Sequence, residues 1–309
     1  MSRVYKLFPS PPDPRDFVHA EAAAAHAASL VPVHGDHHII GLEDLIPEGV
    51  PHHPAHHVSA TPSTSATTKA APSAAVKKAV PTAVDLRKIG PLGPGMPPPL
   101  DQGQLGSCAL NAASNALRRL LRVEKLREWQ PSRLYLYWNT RVNVERSPPG
   151  EDTGVCIRDV CKAVAKYHAC DEVVWPYTVS KFAVAPPLAA YRDAALHAKV
   201  VYSSVPVSVA ALRAVLGGGS PVIAGIQLFS SFESQQVAWD GVVPMPSAGE
   251  ELLGGHAVLV CGYDDASATF LVLNSWGPEW GQGGYFTIPY AYLADPRLTS
   301  DLWTLTFFA

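Results

Sequence analysis

Cys108 is the side chain best placed for covalent chemistry, because it directly follows a Gly-Ser pair at the start of a predicted helix. Unpaired backbone N–H groups and the positive end of the helix dipole lie at such a position, and both favour a thiolate over a thiol. The thiolate is the form of cysteine that attacks a carbonyl carbon. Position alone leaves a simpler role open, in which Cys108 fills space as a small apolar residue.

Three blocks of sequence, in order along the chain, carry further residues that could act with this cysteine. They are QGQLGSC at 102–108, GGHAVLVCGY at 254–263 and LNSWGPEWGQGGYFTI at 273–288. These blocks resemble the cysteine, histidine and asparagine segments of the papain-like cysteine peptidases, and they follow one another in the family order. Agreement of three ordered blocks makes a chance match very improbable.

The resemblance implies a role for one residue type in each block. Cys108 would be the nucleophile, and His256 its acid/base partner. Asn274 would hold the imidazole in the required orientation. Gln102 would donate its side-chain amide to the oxyanion, together with the backbone N–H of Cys108. Trp276 would cover the contact between histidine and asparagine and form part of the cleft wall beyond the scissile bond.

Two positions of the first block depart from the family pattern. Leu105 stands where the family usually has a cysteine, and Ala109 where it usually has tryptophan. The first change removes a disulfide that normally ties this loop to the segment around residues 152–156. In that segment Gly154 matches the last glycine of the strip that presents backbone to a substrate. Its neighbours, Val155 and Cys156, are expected to border the pocket for the second residue before the cut.

The remaining cysteines leave the disulfide state open. Cys156, Cys161 and Cys170 are close enough along the chain for a local bridge, although their connectivity does not follow from sequence. Cys261 lies in the middle of a predicted strand behind His256, where a buried, inert thiol is expected. An odd total of five cysteines fits poorly with a fully paired extracellular framework.

The elements that must position these residues change in kind along the chain. A helix is predicted from Cys108 to about Leu121, because its alanines and leucines recur at three- and four-residue spacing, and Ser107 is its predicted N-cap. Further helices and strands follow from the same kind of pattern. The helices are expected at 132–142, 158–167 and 207–216, and the strands at 256–264, 268–276 and 283–289.

Helices that precede strands predict an α+β protein with two unlike lobes. The resemblance implies the papain-like two-lobe fold, with a helical lobe, an antiparallel β-barrel-like lobe and the active-site cleft between them. No cofactor and no metal ion are implied for the site. Peptide or protein would be the substrate.

Residues 1–80 differ in composition from the remainder, being rich in Ala, Pro, Ser, Thr and His. Within them, residues 59–80 are typical of a flexible tether, because they have too few large apolar side chains to offset the chain entropy. We therefore divide the chain into a propeptide-like extension at 1–80 and a catalytic domain at 81–309. The extension is similar to the short, proline-rich leaders of some bacterial family members. Part of residues 1–50 is expected to lie along the cleft and block it.

Paired histidines in this extension, at 37/38, 52/53 and 56/57, invite a metal-binding interpretation. The segment lacks a rigid scaffold and nearby carboxylate or thiolate ligands. A solvated tract that binds metal weakly is the favoured interpretation, so we predict no metal site.

Bulk composition excludes other classes of function. The 309 residues are 47% hydrophobic and carry a net charge of −3 without a basic cluster, so neither nucleic acid nor a membrane is an expected partner. The N-terminus has no apolar stretch of the kind found in secretory signals. We expect a monomer that is cytoplasmic or exported without a standard signal peptide.

Two alternatives to peptide hydrolysis remain open. The same residues could transfer the acyl group to an amine instead of water. A catalytically silent binding protein on the same fold is the other alternative, although the four intact residues Gln102, Cys108, His256 and Asn274 disfavour it.

Overall fold

The computed structural model describes residues 5–10, 80–197 and 199–307. Its helices are α1 (Cys108–Val123), α2 (Arg133–Trp138), α3 (Ile157–Tyr167), α4 (Leu188–Ala194), α5 (Val209–Gly217), α6 (Gln235–Asp240) and α7 (Tyr290–Leu293). Its strands are β1 (Ala83–Asp85), β2 (Val200–Ser204), β3 (Val222–Phe229), β4 (Leu252–Asp264), β5 (Thr269–Leu273), β6 (Tyr285–Pro289) and β7 (Thr299–Phe307).

The strands form one seven-stranded sheet in the order β2-β7-β3-β4-β5-β6, and β1 pairs with β4. Neighbouring strands of this order run antiparallel. The expected α+β papain-like fold is confirmed. Most of the helical residues precede the sheet in the chain, and the last strand, β7, returns between β2 and β3.

The helix α1 is the central element of the helical part. It contacts β4, β3 and β7 on the sheet side and α2 and α3 on the other. Its small residues Ala109, Ala113 and Ala116 are almost fully buried, which lets the helix approach the sheet closely. Within the described residues, no helix is long and apolar enough to cross a bilayer.

The elements differ from the sequence predictions in several details. Ser107 precedes α1 as predicted, but its side chain caps no helical N–H and instead pairs with the Tyr177 hydroxyl at 2.6 Å. The predicted second helix changes after Trp138 into a π-helical segment, Asn139–Val144. The predicted strand at 268–276 ends at Leu273, because the next residues turn away from the ladder toward the site.

Candidate active site

Cys108 is the first residue of α1 and is only 5% exposed. Its sulfur accepts a hydrogen bond from the backbone N–H of Ala257, on the central strand β4, at 3.4 Å. The nucleophile candidate therefore lies where the helix N-terminus meets the sheet.

Burial and backbone N–H groups act on the pKa of this sulfur in opposite directions. Burial raises the pKa of the Cys108 thiol to about 11, although backbone N–H groups of Ala257 and Ala109 act in the opposite direction. Desolvation of a charged sulfur outweighs the helix terminus here.

His256 lies on β4, and Asn274 directly follows the last residue of the neighbouring strand β5. The imidazole Nε2 lies 2.8 Å from the Asn274 side-chain oxygen, and both side chains are buried. That oxygen also accepts the backbone N–H of Ser275 at 2.8 Å, which orients the amide. An oxygen with this partner accepts the imidazole proton, so Nε2 carries the hydrogen and Nδ1 is left as the basic atom.

Trp276 packs beside this pair. The centroids of its ring and the His256 ring are 5.2 Å apart, and the tryptophan is 5% exposed. Behind it, Phe232 and Trp280 are stacked with centroids 5.6 Å apart, so Trp280 is a packing residue. The arrangement shields the histidine–asparagine hydrogen bond from water.

Gln102 is buried and held at three points. Its backbone N–H donates to the Ser275 carbonyl at 2.9 Å, and its side-chain oxygen accepts from the Ser275 hydroxyl at 2.6 Å. Its amide nitrogen donates to the Leu105 carbonyl at 3.0 Å. Because an amide nitrogen carries two hydrogens, one N–H remains to serve an oxyanion.

The described part of the N-terminal extension lies against the predicted substrate strip. A Cβ atom added to Gly154, whose φ is +71°, would overlap the carbonyl oxygen of Lys6. The Leu7 N–H donates to the Gly255 carbonyl at 3.3 Å on the opposite side. The Leu7 side chain is buried, and its Cδ2 lies 3.0 Å from a Cβ built on Gly225.

The residues on either side of Lys6 and Leu7 make further contacts with the catalytic domain. The Tyr5 hydroxyl donates to the Glu233 carboxylate, and its ring lies 6.1 Å from the His256 ring and 6.2 Å from the Trp276 ring. The Ser10 N–H donates to Asp301 at 2.5 Å. Residues 5–10, here called the leader, therefore extend from Trp276 to Asp301 on β7.

Sequence reasoning did not identify several residues that contact the leader. Gly225 borders the Leu7 side chain, and Ile157 lies beside Gly225, whereas Val155 is buried and Cys156 precedes α3 as its N-cap. Asp152 binds Lys6, with their side chains 3.5 Å apart. A glycine at the centre of a buried apolar strand was the available signal for Gly225, because such a residue often marks a close approach.

All five cysteines lie among the described residues, and none of them forms a disulfide. Cys261 is fully buried, and burial raises its thiol pKa strongly. Among the described residues, Glu145, Cys156 and Asp159 bring potential metal-ligand atoms within 4.8 Å of one another. Two of them already have partners, since Glu145 accepts the Cys156 N–H and Asp159 accepts from Lys162. The paired histidines lie outside the described residues.

Comparison with known proteins agrees with this architecture. Residues 80–294 match the profile described as papain family cysteine protease. An uncharacterised peptidase C1-like protein of Acanthamoeba polyphaga mimivirus is 40% identical over 230 residues, which cover 72% of this chain and 73% of the viral one. The fold and its cysteine-bearing helix define a cysteine protease, a hydrolase. The chain belongs to the papain family.

Solved structures show the same relationship. The structure of xylellain, a cysteine protease from Xylella fastidiosa, superimposes with a TM-score of 0.68 at 32% identity and covers 75% of this chain and 88% of that one. A digestive procathepsin L of the Tenebrio molitor larval midgut has a TM-score of 0.58 at 21% identity, covering 74% of this chain and 71% of its own. The latter likeness shows the fold alone.

Proposed function

We propose that the protein hydrolyses peptide bonds through a thioester on Cys108, with His256 and Asn274 as its partners, and that its own leader inhibits it. The observation that carries the proposal is the leader itself, which has its Lys6 carbonyl against Gly154 and its Leu7 N–H on the Gly255 carbonyl. A peptide backbone thus occupies the groove beside the candidate triad, so the groove accommodates peptide.

The chemistry would proceed in two acyl-transfer steps. His256 Nδ1 takes the proton from Cys108, and the thiolate attacks the scissile carbonyl to form a C–S bond. The imidazolium then returns that proton to the leaving amine, and a thioester remains. In the second step the imidazole removes a proton from water, the resulting hydroxide attacks the thioester, and the carboxylic acid and the thiolate are released.

Asn274 would act through the histidine. Its oxygen accepts the Nε2 proton at 2.8 Å, which favours the tautomer with a basic Nδ1 and stabilises the imidazolium that forms. The remaining N–H of Gln102 would stabilise the oxyanion, and loss of such a donor typically costs about 100- to 1000-fold in turnover.

Inhibition would arise from exclusion of the substrate. Leader and substrate cannot both contact Gly154, because any Cβ-sized group added there already overlaps the Lys6 carbonyl. Burial in this form also raises the pKa of the Cys108 thiol to about 11, which would disfavour the thiolate.

The test compares three full-length proteins on a fluorogenic peptide with an apolar residue two positions before the reporter. The unchanged chain should cleave slowly, Leu7→Asp should cleave faster because a carboxylate cannot remain in the apolar pocket, and Cys108→Ala combined with Leu7→Asp should not cleave. Failure of Leu7→Asp both to cleave and to react with an irreversible thiol-directed probe would overturn the proposal in favour of a silent binding protein. Products joined to an added amine, with little hydrolysis, would indicate acyl transfer instead.

A further inference from the structure

The loop that precedes the nucleophile, residues 102–107, lacks the covalent tie expected from the family resemblance. Leu105 occupies the position of the missing cysteine and is buried, with 3% of its surface exposed. None of the five cysteines forms a disulfide. Another interaction must therefore fix this loop against the segment that contains Gly154, since both carry groups that face the cleft.

A carboxylate connects the two segments at this point. Both side-chain oxygens of Asp152 accept the backbone N–H of Gly106, at 3.2 and 3.1 Å. The same carboxylate accepts the hydroxyl of Tyr137, and that hydroxyl oxygen accepts the backbone N–H of Gly154 at 3.2 Å. Gly106, Asp152, Tyr137 and Gly154 thus form one hydrogen-bonded chain across the loop and the strip.

The buried Tyr137 anchors this chain of hydrogen bonds. Tyr137 belongs to α2 and is fully buried, and burial followed by the hydrogen bond to Asp152 raises its pKa strongly, so the hydroxyl remains a donor. Arg141 covers the Tyr137 ring and donates to the carbonyl groups of Pro148 and Pro149, each at 2.9 Å. The segment that leads into Asp152 is therefore fixed to the helical part as well.

We propose that Asp152 is a positioning residue for Cys108 that performs, by hydrogen bonds, the task of the absent disulfide. Gly106 is two residues from the nucleophile, so a shift of its peptide moves Cys108 and the Gln102 side chain relative to a bound carbonyl. A displacement of about 1 Å can cost on the order of 100-fold in rate. Unlike a disulfide, a carboxylate clamp is indifferent to the reductant that keeps a catalytic thiol reduced. This inference rests on the proposed peptidase function.

The same carboxylate also holds the leader. Lys6 Nζ lies 3.5 Å from an Asp152 side-chain oxygen and donates to the Asp152 carbonyl. Removal of the carboxylate should therefore have opposite effects in two forms of the protein. The leader should bind less tightly, whereas the chemistry in an open cleft should be slower. General loss of folding cannot produce both results.

The experiment places each change in the full-length chain that also carries Leu7→Asp, so that the cleft is open. Asp152→Ala removes the acceptors, whereas Asp152→Asn retains one oxygen for Gly106. Glu151→Gln is the matched control, because it removes an adjacent charge on an exposed side chain. We expect kcat to fall about 100-fold in the alanine variant and about 10-fold in the asparagine variant, with KM changed less than threefold. Glu151→Gln should be unchanged.

A second measurement does not depend on activity. Hydrogen exchange at the amides of residues 103–107 should become about 100-fold faster in Asp152→Ala, and it should stay unchanged in Lys6→Gln, which breaks the contact to the leader alone. If the alanine variant retains both its kcat and its slow exchange, the inference is wrong. If the open parent chain itself shows no hydrolysis, the peptidase proposal fails, and the exchange result still decides the role of Asp152 in positioning the loop.

Discussion

Truncation of Leu7 to alanine should release the leader by a measurable amount. The Leu7 side chain is 8% exposed and lies against Gly225. Full burial of a leucine side chain contributes about 1.5–3 kcal/mol, and the truncation removes most of that contribution. The larger penalty of a cavity in a core does not apply, because the open form leaves the same pocket to solvent. A change of about 2 kcal/mol corresponds to a roughly 30-fold larger open fraction.

The assay follows labelling of Cys108 in the full-length protein by a bulky peptide-like thiol probe at pH 7. When the leader opens and closes faster than the probe reacts, the observed rate is proportional to the open fraction. Phe8→Ala is the matched control, because the neighbouring Phe8 is 58% exposed and its loss should change the rate about twofold at most. Equal labelling of Leu7→Ala and Phe8→Ala would refute the idea that the leader gates the site.

Three further predictions concern the triad and two titrating groups. Asn274→Ala should lower kcat about 10- to 100-fold, as expected from losing a hydrogen bond to a charged imidazolium, with little change in KM, in steady-state assays of the Leu7→Asp chain. In the covered full-length chain, alkylation of Cys108 by a small reagent should rise about tenfold for each pH unit from 7 toward its pKa of about 11, because only the thiolate reacts. Glu145→Gln should raise Tm by several degrees at pH 8 and leave it unchanged near pH 4, as thermal melts at both values would show.

The sign of the last effect follows from burial. Desolvation raises the Glu145 pKa from 4.5 to about 7, so the folded state retains a proton that the unfolded chain has lost. Folding is therefore penalised increasingly as the pH rises from 4.5 to about 7, by an amount on the order of 3 kcal/mol. Glutamine removes the charge and keeps an oxygen for the Cys156 N–H, which Glu145 accepts at 2.7 Å. The exposed Glu151→Gln should show no such pH dependence.

Each of these three predictions has an outcome that would contradict it. A plateau of the Cys108 alkylation rate below pH 8 would show that the covered sulfur is already a thiolate. For Asn274→Ala, a large rise in KM with an unchanged kcat would indicate a role in binding and not in orienting His256. Equal Tm values of Glu145→Gln and the unchanged chain at pH 8 would mean that the folded protein accommodates the Glu145 charge without penalty.

Local sequence patterns predicted much of the architecture. The repeat of alanine and leucine predicted α1, because one face of a helix packed on a sheet must be small and apolar. Apolar runs beginning at His256 and before Asn274 predicted the strand β4, which holds His256, and the strand β5, which ends directly before Asn274. The boundaries were less accurate, since the end of β5 at Leu273 and the π-helical segment after Trp138 depend on contacts distant in sequence.

By itself, the sequence determined the family, the fold class and the identity of the candidate triad, because these depend on residue types at fixed local spacings. The tertiary structure alone decided how the site is covered and held. Tyr5 meets Glu233, Lys6 meets Asp152, and these partners are far apart along the chain. Burial in the packed site raises the pKa of the Cys108 thiol. Desolvation and long-range contacts depend on the packed surroundings of a residue, and no local spacing records them.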